Sequence, residues 1–231
     1  LPPTVANLTQ PHPPSGAPNI VAVVIDSLRA DHCGFLGYSR PTTPGLDTLA
    51  EKGVIFENAL SSSGWTKPAV GTLFTGLIPS NHGAVSRMSV VSGRHGAALK
   101  APALTLPEIL RNRGWRTGVF SNNPNVLDKY GFTQGVEHFS NYWEVLGYEA
   151  GRAESMTRDV LEWIGGLKEE EPFFAYLHLM DTLYPYFAPP PFAGTWDQSG
   201  LDLNVNGNLV ERQILGEVEI SDIQLAHIVD L

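Results

Sequence analysis

Cysteine is all but missing from this sequence: Cys33 stands alone among 231 residues. No intrachain disulfide can form, and the redox compartment is left open. Positive charge is also scarce. Fifteen Lys and Arg face 24 Asp and Glu, a formal net charge of -9, which excludes a general nucleic-acid binder because little is present to neutralise a run of phosphates. The same balance does not exclude an anionic substrate, since a bound metal ion inverts the local field. No apolar run approaches the length that spans a bilayer. No internal repeat is visible, and no Gly-x-Gly-x-x-Gly follows the first strand-like run, which sets aside a nucleotide-binding module. The chain begins at Leu1 without a methionine, which fits removal of a signal peptide or anchor and favours an extracytoplasmic location.

What is present describes an ordinary globular chain, 42% hydrophobic and 17% charged, long enough for one sizeable core. Residues 1–18 are rich in Pro and read as an extended leader. Ile20 to Ile25 is a continuous β-branched run, predicting a strand buried on both faces and ending at Asp26. Thr43-Pro44 opens a helix that closes at Gly53. Val54 to Leu60 predicts a second strand. Thr105-Leu106-Pro107-Glu108 is a capping box starting a helix that stops at Gly114. Trp115 to Phe120 and Phe173 to Leu179 predict two more strands, with helical periodicity between them over Glu149 to Leu167 and again from Leu209 to Leu231. The last pattern still runs at Leu231, as expected of a piece of a longer protein. Alternating strands and helices call for an α/β fold, a mostly parallel sheet flanked by helices on both faces.

The chemistry centres on Gly64-Trp65-Thr66-Lys67-Pro68-Ala69-Val70-Gly71. A polar break leads into a short apolar helix that Pro68 tolerates in its first turn and Gly76 stops. Thr66 then lies at a helix N-terminus, where backbone N–H groups and the helix dipole favour an anion. A hydroxyl there suits attack on a phosphate or sulfate ester; the bland alternative is a plain N-cap. Asp26 ends the first strand, where open α/β sheets carry ligands, and its alternative is likewise a cap. A right-handed βαβ unit through the predicted Val54–Leu60 strand would bring Asp26 and Thr66 to one rim of the sheet. Asn122 and Asn123, in the loop after Phe120, can donate to an oxyanion; the alternative is an ordinary Asn turn before Pro124. Asp181 follows the strand ending at Leu179 and is a further candidate. His178 reads as a hydrogen-bonded core histidine, Asp31 and His32 as local structure, and His82 and His95 as solvated loop residues.

Together these segments resemble the sulfatases of the alkaline phosphatase superfamily. The likeness rests on Pro18-Asn19-Ile20 leading to Asp26, Leu28-Arg29-Ala30-Asp31-His32, and Gly37-Tyr38 with Arg40-Pro41-Thr42-Thr43-Pro44. It continues through Leu46-Asp47, Gly53-Val54 with Phe56-Glu57-Asn58-Ala59, and Leu73-Phe74-Thr75-Gly76 with Pro79 and His82-Gly83. Gly114-Trp115-Arg116-Thr117 and Asp181 with Pro185-Tyr186 and Pro189-Pro190 extend it. The resemblance implies that residues 19–231 are the N-terminal portion of a sulfatase-like α/β domain, with Thr66 as nucleophile and metal ligand and Asp26 as metal ligand. Departures from the family pattern carry information too. The family's Cys or Ser, converted to formylglycine, is here Thr66; its Arg after the Pro is Val70; its second acid is Ser27. The Lys and His expected after Gly114-Trp115-Arg116-Thr117 fall on Asn122 and Pro124, and the His after Asp181 falls on Leu183. The family's Asp-His-Gly motif would lie beyond Leu231.

Two functions follow from the likeness. One is a metal-dependent hydrolase or transferase of sulfate or phosphate esters working through a covalent Thr66 intermediate, with a divalent ion (Zn, Mn, Mg or Ca) and a small anionic ester or a sulfated or phosphorylated polymer as substrate. The other is a non-catalytic, truncated or degenerate sulfatase-like domain. The sequence leaves the metal, the choice between sulfate and phosphate, and the oligomeric state open.

Overall fold

The computed structural model describes residues 13–86, 96–143 and 153–183, with the single positions 192, 195, 212, 216, 219 and 221. The sequence expectations for His95, for the Pro185–Pro191 stretch and for most of Leu209–Leu231 lie outside these residues. The chain divides into two compact units, one of Leu1–Ile25 with Arg29–Met180 and a second of Asp26–Leu28 with Asp181–Leu231.

In the first unit, four strands form one fully parallel sheet: β1 (Ile20–Ile25), β2 (Arg116–Ser121), β3 (His138–Asn141) and β4 (Phe173–Leu179), in the order β1-β4-β2-β3. The registers are Ile20 to Phe174 through Ile25 to Leu179 for β1 with β4, and Arg116 to Phe173 through Ser121 to His178 for β2 with β4. β2 and β4 are interior strands, and their near-unbroken burial is what parallel strands covered on both faces require.

Helices cover the two faces. On one, α2 (Thr66–Thr75) inserts Val70 and Phe74 among Val119, Phe132, Phe174 and Tyr176. The Phe74 ring meets Tyr176 and Phe132 edge-on at 4.9 and 5.5 Å, a favoured aromatic geometry. On the other, α5 (Ala153–Gly165) buries Met156 and Val160 against Phe120, Ala175 and Leu177. The remaining helices are α1 (Pro44–Ala50), α3 (Pro79–His82) and α4 (Leu106–Arg111). The capping box at α4 forms as its sequence predicts: Thr105 Oγ1 accepts the Glu108 N–H, and Glu108 Oε2 accepts the Thr105 N–H at 2.8 Å. The α/β class with helices on both faces is therefore observed.

Two strand expectations need correction. β1 is not buried on both faces. Ile20, Ala22 and Val24 pack on the α2-side core, but Val21 and Val23 are 54% and 51% exposed. Among the described residues β1 pairs only with β4 and is an edge strand. Val54 to Leu60 forms no strand at all; Val54, Phe56 and Leu60 are 82%, 78% and 96% exposed. β-branched and aromatic residues favour a pleated, half-buried surface, and without a neighbouring strand that preference has nothing to act on. The βαβ inference that placed Asp26 and Thr66 at one rim loses its second strand. Pro79 to Gly83, where His82 was expected in a loop, contains α3, and β3 lies where no strand was expected.

Candidate functional site

The chain entering α2 is extended at Trp65 (φ -150°, ψ 160°), which is the N-cap and makes no side-chain capping bond. Thr66 is the first helical residue, so it is not the cap that the bland alternative required. The helix closes on Gly76 in the left-handed region (φ 66°), whose N–H donates to Thr72 O at 2.7 Å. Between these ends, Lys67, Val70, Gly71 and Phe74 form the buried stripe, at the spacing one helical face demands. Thr66 itself is half-buried at the start of that helix, where first-turn N–H groups lack partners within the helix.

Lys67 is the residue that sequence reasoning missed. Its side chain is wholly buried. The ammonium lies 3.4 Å from the centroid of the Tyr130 ring and donates to Ser86 O at 3.2 Å. A desolvated contact of this kind contributes about 2 kcal/mol. Among the described residues no carboxylate pairs with it. Burial, reinforced by the nearby Lys129 charge, pulls its pKa down to about 8. The signal was present in the sequence: Lys67 precedes Val70, Gly71 and Phe74 by three, four and seven residues, on the inward stripe.

His82 also departs from expectation, for it is fully buried in α3 rather than solvated. Its Nε2–H points at Pro68 O (3.2 Å) and Thr72 Oγ1 (3.3 Å), and its Nδ1 accepts the Ala84 N–H (3.2 Å). The ring is thereby held neutral, and burial pushes its pKa below the ordinary imidazole value. It fits because residue 71 is Gly: a Cβ there would lie 2.6 Å from His82 Cε1.

Asn122 and Asn123 follow β2 directly and are 2% and 1% exposed. Asn123 Oδ1 accepts the Asn125 N–H at 2.8 Å, which turns its amide nitrogen toward Met180 Sδ (3.0 Å) and His178 Nε2 (3.4 Å). His178 is buried in β4, as expected of a core histidine, with Nδ1 2.8 Å from the Tyr176 hydroxyl. Asn141 Nδ2 clamps the same loop by donating to Asn123 O and Val126 O. This loop leads on to Tyr130, the residue beneath Lys67. Thr66, Lys67, Asn122 and Asn123 thus all belong to the first unit.

Asp26 and Asp181 belong to the second. Ser27 Oγ donates to Asp26 Oδ1 at 3.3 Å, and the Thr182 hydroxyl donates to the Asp26 carbonyl oxygen. Ser27 has φ 60°, a left-handed conformation that costs energy for a residue other than glycine and clusters at functional sites. Asp181 is exposed. Asp31 behaves as the local residue it was expected to be. Arg29 Nη2 approaches it to 2.6 Å and His32 Nδ1 to 3.1 Å, and the Arg29 hydrogen bond holds its carboxyl well below the usual range.

Among the described residues no three His, Cys, Asp or Glu side chains gather as a metal cage. The expected metal ligands, the Thr66 hydroxyl in the first unit and the Asp26 carboxylate in the second, are each oxygens of the type hard divalent cations take.

Comparison with known proteins agrees with this architecture. The family model described as Sulfatase matches residues 18–228. Human N-acetylgalactosamine-6-sulfatase is 25% identical over 224 residues, covering 78% of this chain and 43% of that enzyme. Two solved structures share the fold. Phosphonate monoester hydrolase of Agrobacterium radiobacter superposes with a TM-score of 0.60 at 20% identity, covering 76% of this chain and 43% of its own. A protein solved with its substrate D-glucosamine-2-N,6-O-disulfate gives 0.63 at 18%, covering 77% and 37%. The chain spans less than half the length of these curated relatives.

Proposed function

Because the chain belongs to the sulfatase family, we propose that it supplies the nucleophile-bearing part of a hydrolase acting on sulfate or phosphate esters, with Thr66 as the attacking group. The observation that carries this is the placement of Thr66 as the first residue of α2 behind an extended Trp65. That position gives a hydroxyl the company of first-turn N–H groups and the positive end of the helix dipole. The names of the relatives, a sugar-6-sulfatase and a phosphonate monoester hydrolase, support ester hydrolysis without choosing between sulfur and phosphorus.

In this mechanism the Thr66 oxygen, having lost its proton, forms a bond to sulfur or phosphorus. The bond to the ester oxygen breaks, and that oxygen leaves with the electron pair and takes up a proton as the alcohol. Water then attacks the Thr66 ester, releases sulfate or phosphate, and returns the hydroxyl. N–H groups of the first turn of α2 face charge that develops on the non-bridging oxygens. Thr66 in the first unit and Asp26 in the second are each proposed as an oxygen ligand of the kind a divalent ion takes. Such an ion would lower the pKa of a hydroxyl it held and offset substrate charge. Ser27 orients the Asp26 carboxylate through its 3.3 Å bond. Asn122, Asn123 and Asp181 are assigned to the substrate side of the site, and an extracytoplasmic location is part of the same proposal.

The test is Thr66→Ala in the full-length protein. Turnover of aryl sulfate and aryl phosphate esters is expected to fall at least about a thousandfold, with the circular dichroism spectrum and melting temperature unchanged. Mass spectrometry of quenched wild-type reactions should find the transferred group on the peptide carrying Thr66. Unchanged turnover in Thr66→Ala overturns the assignment and favours the non-catalytic alternative.

A further inference from the structure

Lys67 has no part in the chemistry above, yet among the described residues it is the sole charged residue, histidine aside, in the set of buried polar side chains. A lysine immersed in a core carries a desolvation cost, and a methionine of similar length would fill the same volume without it. The ammonium therefore has a use that packing alone does not supply, and its contacts define that use. Its peptide neighbour is Thr66. Its first partner, Ser86 O, lies on the chain leaving α3. Its second, Tyr130, closes the loop that begins at Asn122 and Asn123. Tyr130 is itself fixed, 4% exposed, with its N–H donating to Leu127 O and its carbonyl accepting the Leu99 N–H at 2.9 Å. One cation thus ties together the first turn of α2, the stretch after α3 and the loop following β2.

We propose that Lys67 is a positioning residue that holds Thr66 at a fixed place relative to the Asn122–Tyr130 loop. The proposal rests on the assignment of Thr66 as nucleophile. The neighbouring side chains explain why a cation is used. An apolar side chain would pack against Tyr130 in many rotations, whereas an ammonium bonded to Ser86 O and centred on the ring has one position. Fixing the residue after Thr66 fixes the peptide that Thr66 shares with it. Misplacement of a reacting group by about 1 Å costs up to about a hundredfold in rate. The effect is therefore expected in kcat, because Lys67 is buried away from substrate and should leave binding nearly unchanged.

The experiment uses the full-length protein with p-nitrophenyl sulfate and p-nitrophenyl phosphate, and compares Lys67→Met, Lys67→Arg, Tyr130→Leu and the double variant Lys67→Met/Tyr130→Leu. Lys67→Met is expected to lose about tenfold or more in kcat with KM shifted less than about threefold. Lys67→Arg, which can still stack on Tyr130 and reach Ser86 O, should recover part of that loss. The double variant should be no slower than the worse single variant, because both break one contact. A folded Lys67→Met with wild-type kcat overturns the proposal. If Lys67→Met does not fold, Tyr130→Leu decides in the same way: reduced kcat at constant KM supports positioning, and unchanged kcat overturns it.

A readout independent of turnover separates this from the nucleophile assignment. Amide hydrogen exchange in Lys67→Met should accelerate both in the peptide covering Ser61–Val70 and in the peptide covering Asn122–Tyr130. Acceleration of both with activity retained in Thr66→Ala would sink the nucleophile and keep the tie between the two segments. Unchanged exchange in the Asn122–Tyr130 peptide would sink the tie whatever Thr66 does.

Discussion

His82, which reads as a solvated loop residue in the sequence, is enclosed by the fold, as is Lys67, and the burial of His82 leaves a pH signature. Burial lowers the His82 pKa relative to the unfolded chain. Between the two values the unfolded state binds more protons, so stability is full above about pH 6.5 and is lost as pH falls through the native value. Melting temperature should decline on acidification below about pH 6.5, and His82→Gln should flatten that part of the curve while lowering the plateau. Gly71 is the complement of His82. An alanine Cβ would press on the ring at 2.6 Å, and Gly71→Ala is expected to cost about 1–3 kcal/mol by overpacking, measured by urea denaturation. The burial of His82 was not legible locally, since Pro79-Ser80-Asn81-His82-Gly83 has the composition of a surface and only the closure of α3 over α2 makes it interior. That of Lys67 was readable only from its spacing to Val70, Gly71 and Phe74. Thr66 was more legible, because its place depends on neighbours in sequence: a polar break, Pro68 in the first turn and Gly76 at the end.

Elements whose signals are local were the ones the sequence made plain. The Thr105–Glu108 box needs four residues and no tertiary partner. Thr105→Ala is expected to cost about 1–2 kcal/mol, towards the upper end because the same hydroxyl donates to Gln134 O at 2.9 Å; a thermal melt of the variant checks this. β2, with polar Arg116, Thr117 and Ser121, was legible because Val119-Phe120 follow a helix stop at Gly114, and β4 because a run that is apolar but for His178 coincides with an interior position. The same kind of run misleads at β1, where cover on one face is lacking and Val21 and Val23 stand open. It misleads again at Val54–Leu60, where pairing is lacking. In both places composition reports what a residue would tolerate, and the sheet decides what it receives. β3, at four residues with polar His138, Ser140 and Asn141, has no apolar signature; it exists by pairing with β2.

Across the molecule, the exposed side of β1 is the feature with the plainest solution behaviour. Among the described residues β1 is an edge strand with two valines open to water, which makes it a template for association. Val21→Lys/Val23→Thr is expected to reduce concentration-dependent light scattering of this chain, with a change in melting temperature of no more than a few degrees since both side chains are half-exposed. The strand order carries a further consequence, in time rather than space. β4 comes last of the four in sequence and yet separates β1 from β2, and Asn19 Oδ1 receives the Phe173 N–H from 154 residues away. Among the described strands, β1 has none to join during synthesis until β4 has followed it from the ribosome. Long-range parallel pairing of this kind is slow and exposes apolar edges while it waits. Nascent chains arrested before Phe173 should therefore be cut readily by protease near Ile20–Ile25, and a chaperone that shields unfinished strands should suppress that cleavage.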